Sequence, residues 1–241
     1  MNFKNVGSRN SGSLNGGSRN DNSRRKFIGT LAATASITGL ASPLLANATS
    51  KSKTETKMVS EADVWFKNVK GTHRIVYDAP APHDGYPFIW TWVYYNTNNQ
   101  TGTPDTDMTA MVVLRHDAIP FAFKDELWQK YNLGKVFNVT DNTTKEAALR
   151  NPYYIPQEGD FPFPQIEGIK ALQDRGAMFC VCAAAIAVYS GMVAQSMNLN
   201  PEEVQKEWME GVLPDIQVVP SGVWAIGRAQ EHGCSYCYAG G

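Results

Sequence analysis

A continuous, largely apolar run, Thr109-Ala110-Met111-Val112-Val113-Leu114, most restricts what this chain can fold into. The run has no polar face, so it suits a strand that is buried on both sides rather than a strand with one face in water. A second run of strand length, Ala177 to Cys182, leads directly into a helix rich in small residues. Apolar strands that alternate with helical segments are typical of βαβ units. The pattern therefore predicts an α/β fold with a mostly parallel sheet.

Shorter patterns predict the other elements of this domain. We expect strands at His73–Asp78, Ile216–Val219 and Cys234–Tyr238, and helices near 86–95, 124–131, 165–174, 183 onward, 201 onward and 222–231. Gly176 at a C-cap position and Asn200-Pro201 at a helix start support these assignments. Residues 121–164 are rich in Asn and Pro and read as a long insertion, which we expect at the surface or over a site.

Residues 1–48 carry the features of an export signal. Their Gly-, Ser- and Asn-rich start has few apolar residues and predicts a disordered n-region. Arg24 and Arg25 then precede Phe27-Ile28, in an arrangement that resembles the twin-arginine motif. A soft apolar run follows and ends at the small-x-small sequence Ala46-Asn47-Ala48. We therefore predict cleavage near Ala48, after export by the twin-arginine translocase.

The compartment and the domain boundaries follow from this signal. Its apolar run is too weakly hydrophobic to remain in the bilayer as a spanning helix. We expect a periplasmic protein without a stable membrane anchor, with a linker at 49–62 and one α/β domain at 63–241. The charge is nearly balanced, with 22 basic and 23 acidic residues. This balance offers no basic surface for nucleic acid.

Four cysteines occur in two pairs, Cys180 with Cys182 and Cys234 with Cys237. Residues two apart on a strand are separated by about 6.6 Å, at the limit for a disulfide, and residues three apart point to opposite faces. A bridge between the pairs depends on strand order, so free thiols or a four-cysteine metal site are the alternatives. The spacing does not match a zinc knuckle, which makes the metal site the weaker alternative. Cys180 is expected to be a buried core thiol.

Cys182 differs from the other cysteines because it ends a predicted strand and directly precedes a helix. Ligands of open α/β sheets bind at this carboxyl edge, and a helix N-terminus favours a thiolate. Asp78 and His83 follow the first strand, and Arg115 and His116 follow the second, so we expect them at the same edge. Cys182 is therefore the candidate nucleophile, and the other four are candidates for stabilising a thiolate or binding an anionic group.

Three segments resemble the DsrE/DsrF-like family: Gly176 to Ala185, Leu213 to Val223, and Gln230-Glu231-His232-Gly233 before the last strand. In the first half of the mature domain, only the strand that ends at His116 is similar. The resemblance implies a three-layer α/β/α sandwich with a mostly parallel five-stranded sheet in flavodoxin-like order, and assembly into homo-oligomers. It also implies that Cys182 carries a persulfide, because several family members pass sulfur on a cysteine at the end of a central strand.

The sequence thus favours a periplasmic sulfur carrier or sulfurtransferase that uses Cys182, requires no cofactor, and exchanges sulfur with a donor and an acceptor that the sequence does not identify. The insertion and the export signal depart from the family pattern. One alternative is a non-enzymatic module that binds a small ligand at the same edge, under an aromatic segment. The aromatic residues of that segment are Trp90, Trp92, Trp128, Tyr153 and Tyr154. The other alternative is a metal or redox centre that uses all four cysteines.

Overall fold

One sheet of five parallel strands organises the computed structural model, which describes residues 56–240. The strands are β1 (His73–Ala79), β2 (Met108–Leu114), β3 (Met178–Cys182), β4 (Ile216–Val219) and β5 (Ser235–Tyr238). Their order across the sheet is β4-β3-β2-β1-β5. Arg24, Arg25 and Ala48 of the predicted export signal lie outside the described residues.

Helices connect the strands and cover both faces of the sheet. They are α1 (56–66), α2 (Tyr86–Gln100), α3 (Asp125–Tyr131), α4 (Leu133–Val136), α5 (Ile169–Arg175), α6 (Ala183–Met197), α7 (Pro201–Glu210) and α8 (Gly222–Glu231). Short 3-10 helices occur at His83–Gly85, Asp105–Asp107 and His116–Ala122. Within residues 56–240, none of the helices has the length and apolar character needed to cross a membrane.

Two apolar cores, one on each face of the sheet, hold three layers together. The smaller core lies under α1 and α8 and contains Phe66 and Ala225. The larger core lies on the other face and contains Phe88 of α2, Leu172 of α5 and Ile186 of α6. Burial of apolar surface between layers is the main driving force for this architecture. The expected three-layer α/β/α sandwich with a parallel five-stranded sheet is confirmed.

The strand order corrects one detail of that expectation. A flavodoxin-like sheet has the order 2-1-3-4-5, whereas here β1 to β4 follow one another and β5 crosses back to pair with β1. In that pair Ile75 is the partner of Ser235, and Asp78 is the partner of Tyr238. Consequently β5 is an edge strand, and two strands separate it from β3.

Local signals in the sequence fix several element boundaries. Gly176 ends α5 with a left-handed backbone, φ 105°, which a residue without a Cβ adopts at no steric cost. The side chain of Asn200 accepts two backbone N–H groups of the first turn of α7. Ser221 caps α8 in the same way with one such bond. Because these caps are local, β4 and α8 have the bounds that the sequence predicts.

The predicted linker at 49–62 overlaps α1. Residues 56–66 are helical, and Ala62 and Phe66 are completely buried. The Phe66 ring stacks on the imidazole of His232, with centroids 5.7 Å apart. The linker prediction is therefore wrong from residue 56 onward, because these residues belong to the folded domain.

The insertion at 121–164 contributes to the larger core. Phe121, Phe123 and Trp128 are completely buried. The buried amide of Asn151 donates to the carbonyl of Phe121 at 2.8 Å, which satisfies a polar group inside this segment. The insertion is therefore part of the helical layer that contains α2 and α6, and not only a surface segment.

Candidate functional site

Four side chains form a row across the carboxyl edge of the sheet, on the face that α8 covers. Side chains two apart on a strand share a face, so Cys182 lies on the side of Cys180, and Arg115 lies on the side of Val113. Cys180 and Val113 belong to the smaller core and are register partners. Two residues further along each strand, Arg115 and Cys182 are therefore neighbours. The row consists of Tyr236 on β5, Asp78 on β1, Arg115 after β2 and Cys182 on β3.

Asp78 joins the members of this row. Its Oδ1 accepts the Nε–H of Arg115 at 2.6 Å, and its Oδ2 accepts an Nη2–H at 2.9 Å. The hydroxyl of Tyr236 donates to the same Oδ2 at 3.0 Å. The Asp78 side chain is only 6% exposed, so this bidentate, charge-assisted pair is strong and directional. As expected from the sequence, the structure brings Asp78 and Arg115 together.

The hydrogen bonds to Asp78 influence the protonation of Arg115 and Tyr236. The hydrogen bond to Asp78 raises the pKa of Arg115, which therefore stays cationic. Partial burial and then the bond to Asp78 raise the pKa of Tyr236. Tyr236 therefore keeps its proton at neutral pH and acts as a hydrogen-bond donor.

Arg115 uses only part of its hydrogen-bonding capacity. A guanidinium has five N–H donors, and Asp78 receives two of them. Among residues 56–240, the Nη1 atom of Arg115 has no hydrogen-bond partner, and 27% of the side chain is exposed. Its aliphatic part packs on the start of α8, where a Cβ on Gly222 would lie 2.6 Å from the Arg115 Cβ. Glycine at this position thus leaves room for the Arg115 side chain against the start of α8.

Cys182 ends β3 and caps the N-terminus of α6, as the sequence predicts. Its Sγ accepts the N–H of Ala185 at 3.3 Å, and the residue is 6% exposed. The N–H of Ala184 bonds to the carbonyl of Pro220 at 3.2 Å, which fixes the start of α6 against the end of β4. A helix N-terminus and an N–H donor both stabilise negative charge on the sulfur.

The four cysteines do not converge, so the four-cysteine metal site is wrong. Cys180 and Cys182 lie on β3, and roughly 14 Å separates β3 from β5, because neighbouring strands are about 4.8 Å apart. Cys237 also packs on the opposite face of the sheet, against the larger core. Within residues 56–240, no group of three or more His, Cys, Asp or Glu side chains could hold a metal ion. All four cysteines, including Cys234, are free thiols.

His83 reaches the carboxyl edge in a turn with unusual backbone geometry. His83, Asp84 and Gly85 have φ values of 43°, 47° and 83°, and non-glycine residues adopt such values rarely. The Nε2 of His83 lies 3.0 Å from the hydroxyl oxygen of Tyr238. A Cβ on Gly85 would come within 2.8 Å of the Tyr153 ring, so the insertion supports the turn. His83 is therefore paired with β5, outside the row of four side chains.

His116 belongs to a separate cluster beside α6. Its φ is 51°, and its Nδ1 lies 3.0 Å from Asp117 Oδ1 and 3.2 Å from the hydroxyl oxygen of Tyr189. Tyr189 also bonds to Asp117. Burial opposes ionisation of Asp117, but the hydrogen bonds from His116 and Tyr189 outweigh it and lower the Asp117 pKa. The ring of Phe137, from the insertion, packs 5.0 Å from the Tyr189 ring.

The aromatic segment does not form a roof over the row. Trp128 is completely buried, and Tyr153 is 3% exposed. Trp90, Trp92 and Tyr154 are half-buried and pack against the larger core. A shallow apolar groove of about 350 Å³ lies between α2 and β5, on the face opposite to the row. These rings are therefore part of the packing on that face.

Sequence reasoning missed Tyr236 and Tyr189. Tyr236 is invisible as a partner of Asp78 until the position of β5 beside β1 is known, because the two residues are 158 positions apart. Tyr189 has a weak signal: it follows Cys182 by two helical turns and so lies on the same face of α6. Helical spacing from the candidate nucleophile could have found it.

Comparisons with known proteins give no assignment of function. No family model matches the sequence, and a search of curated proteins finds no relative. A solved structure described as a protein of unknown function, MTH1491 from Methanobacterium thermoautotrophicum, is similar with a TM-score of 0.37 and 14% identity. The match covers 69% of this chain and 98% of that chain. A likeness at this level carries no functional conclusion.

Proposed function

We propose that this protein is a DsrE-like sulfur carrier, exported to the periplasm by the twin-arginine translocase, in which Cys182 holds sulfur as a persulfide. The observation that carries the proposal is the setting of the Cys182 thiol. It lies at the carboxyl edge of the sheet, accepts the Ala185 N–H at 3.3 Å, and neighbours the guanidinium of Arg115. This setting supports a nucleophilic sulfur.

The other thiols are less suited to this role. Cys180 is completely buried, and burial raises the pKa of its thiol. Burial also raises the pKa of Cys234. Cys237 is half-buried on the edge strand, on the opposite face from the row, and its Sγ makes a weak contact with the carbonyl of Tyr238 at 3.6 Å. Cys182 is thus the thiol best placed for nucleophilic chemistry.

The transfer step follows thiol–disulfide chemistry. The Cys182 thiolate attacks the outer sulfur of a donor persulfide, R–S–SH. A new S–S bond forms to Cys182, the S–S bond of the donor breaks, and R–S⁻ leaves with the electron pair, while the proton stays on the transferred sulfur. Donation to an acceptor thiolate runs the same step in reverse. The positive N-terminal end of α6 and the guanidinium of Arg115 stabilise the negative charge on sulfur at both stages.

Cys182 is only 6% exposed, and this low exposure sets a condition that the proposal must meet. Low exposure protects a persulfide from oxidation, which follows thiolate character and access. Exchange still requires that a donor reaches the sulfur. A buried thiol that also proves unreactive contradicts the proposal.

Intact mass spectrometry tests the proposal. The mature protein is purified from the periplasm without reductant, and its mass is measured before and after reduction. We expect a reductant-sensitive mass increase of one sulfur atom that disappears in Cys182→Ser. Serine is a good N-cap residue, so this variant keeps the start of α6 intact.

Two matched variants locate the modification. Cys180→Ala and Cys237→Ser should both retain the extra sulfur, because neither removes the Cys182 site. An unmodified mass, with thiols that react slowly with added polysulfide, would contradict sulfur carriage. It would favour the non-enzymatic binding module instead. A mass increase that Cys182→Ser retains would place the sulfur on another thiol and overturn the assignment.

A further inference from the structure

Tyr236 makes a specific contact that packing does not explain. The residue is 49% exposed, and yet its hydroxyl donates to the nearly buried carboxylate of Asp78 at 3.0 Å. We infer that Tyr236 is a positioning residue for Cys182, because it fixes the Arg115 guanidinium beside the thiol through Asp78. The inference rests on the proposed function of Cys182, and it gives the edge strand β5 a part in the site.

The geometry of the Asp78 carboxylate explains how Tyr236 acts at a distance. The Oδ2 atom accepts both the Tyr236 hydroxyl and an Nη2–H of Arg115, while Oδ1 accepts the Nε–H. Three bonds fix the plane of the carboxylate, and the carboxylate fixes the plane of the guanidinium. Without the hydroxyl, Asp78 keeps two bonds, and the carboxylate and guanidinium can rotate together. Tyr236 therefore restrains an orientation rather than supplying a charge.

The orientation matters because Arg115 is the charged side chain next to Cys182 in the strand register. On the face of the sheet that α8 covers, the ionisable side chains of the strands and their ends are Cys180 on β3, Arg115 after β2, Arg74 and Asp78 on β1, and Tyr236 and Tyr238 on β5. The partner of Cys182 on β4 is the apolar Val219. The first turns of α6 and α8 carry no acidic side chain. Arg74 lies near the start of β1, at the amino edge of the sheet, so Arg115 is the cation of this set at the carboxyl edge, and its position controls the stabilisation of negative charge on the sulfur.

Tyr238 provides a matched control on the same strand. It lies two residues after Tyr236, so the two side chains share a face. It is 52% exposed, and its hydroxyl also makes one hydrogen bond, at 3.0 Å, to the imidazole of His83. The two tyrosines differ mainly in the partner that the hydroxyl reaches.

The test compares the pH profile of Cys182 alkylation in Tyr236→Phe and Tyr238→Phe. The reduced mature protein is treated with iodoacetamide, and the rate at Cys182 is followed by peptide mass spectrometry, which separates it from the other thiols. We expect Tyr236→Phe to slow alkylation at neutral pH by about threefold, the effect of one hydrogen bond. Its pH profile should move to higher pH. Tyr238→Phe should match the wild type.

A coupling measurement distinguishes positioning from a general loss of structure. Lysine keeps the charge but not the planar geometry of the guanidinium, so in an Arg115→Lys background Tyr236→Phe should have no further effect. Equal profiles for both phenylalanine variants, or an additive effect in that background, would overturn the inference. A Cys182 that resists alkylation at every pH would overturn it as well.

The same experiment separates this inference from the proposed function, because alkylation requires no sulfur cargo. A wild-type protein without persulfide, but with the expected difference between Tyr236→Phe and Tyr238→Phe, contradicts sulfur carriage and supports the positioning role. Persulfide on Cys182 together with identical profiles supports sulfur carriage and contradicts the positioning role.

Discussion

Two arginines at opposite edges of the same sheet have very different surroundings. Arg175, before β3, donates all five of its N–H groups, to Asp105, Glu167, Asn96 and Asn99. Its guanidinium also lies 4.8 Å from the Tyr95 ring centroid. Within residues 56–240, Arg115, at the carboxyl edge, donates two. A saturated arginine has a structural role, whereas one with donors to spare can respond to charge on a neighbouring sulfur.

The largest stability effect is expected at Arg115, although it makes fewer bonds. Arg115→Met should lower the free energy of unfolding by about 3 kcal/mol, because it leaves the Asp78 carboxylate buried without a cation. Urea unfolding of the mature protein measures this change. Adding Asp78→Asn should recover roughly half of the loss. If the double variant is no more stable than Arg115→Met, the unpaired carboxylate is not the cause.

A smaller loss, about 2 kcal/mol, is expected for Arg175→Met. The carboxylates that it leaves behind, Asp105 and Glu167, are 31% and 34% exposed, so water replaces part of the lost bonding. Alkylation of Cys182 should be unchanged in this variant, since Arg175 lies at the other edge. Arg228→Met is the control, because Arg228 forms a surface pair with Glu231 and such pairs contribute little to stability. Slower alkylation of Cys182 in Arg175→Met would contradict the difference between the two edges.

The smallest effect on stability is expected for Asp105→Asn, and it depends on pH. The hydrogen bond from Arg175 lowers the pKa of Asp105 below 3.8, so this pair stabilises the fold above the unfolded-state pKa. The contribution is lost as the pH falls through the folded-state pKa. Asp105→Asn should therefore cost about 1 kcal/mol at pH 7, and the difference from wild type should shrink below about pH 4.

Unfolding in urea at pH 7, 5 and 3 checks this dependence. Asp63→Asn serves as the control, since Asp63 is 3.6 Å from Arg228 on the surface and such pairs contribute little. A difference between wild type and Asp105→Asn that stays constant with pH would contradict the linkage.

The sequence predicted those parts of the fold that depend on neighbouring residues. β4 and α8 have the predicted bounds because Ser221 caps the helix directly after the strand. The helix at 56–66 was missed because its polar and charged residues resemble a linker, and its contacts, such as Phe66 with His232, come from distant parts of the chain. The insertion shows the same limit: Phe121 and Trp128 follow no simple period, and their burial depends on tertiary packing.

The candidate site was predictable where it depended on strand ends. Asp78, Arg115 and Cys182 each follow or end a recognisable strand, and in a parallel sheet these ends share an edge. The sequence could not divide the edge into clusters. It therefore grouped His83, which pairs with Tyr238, and His116, which pairs with Asp117 and Tyr189, with the row of four side chains. It also gave no means to place β5, since the crossover to β1 leaves no local pattern.

The pairing of β5 with β1 also bears on how this protein folds. Ser235 bonds to the carbonyl of Arg74 across 161 positions of chain. Contacts so distant form slowly, because a long loop must close before they contribute stability. Tyr236 arrives at Asp78 with that same strand, so the pairing of β5 with β1 also completes the row beside Cys182. A chain that stalls before this step retains its thiol without the restraint on Arg115, and the reactivity of Cys182 would report, during refolding, the moment at which β5 docks.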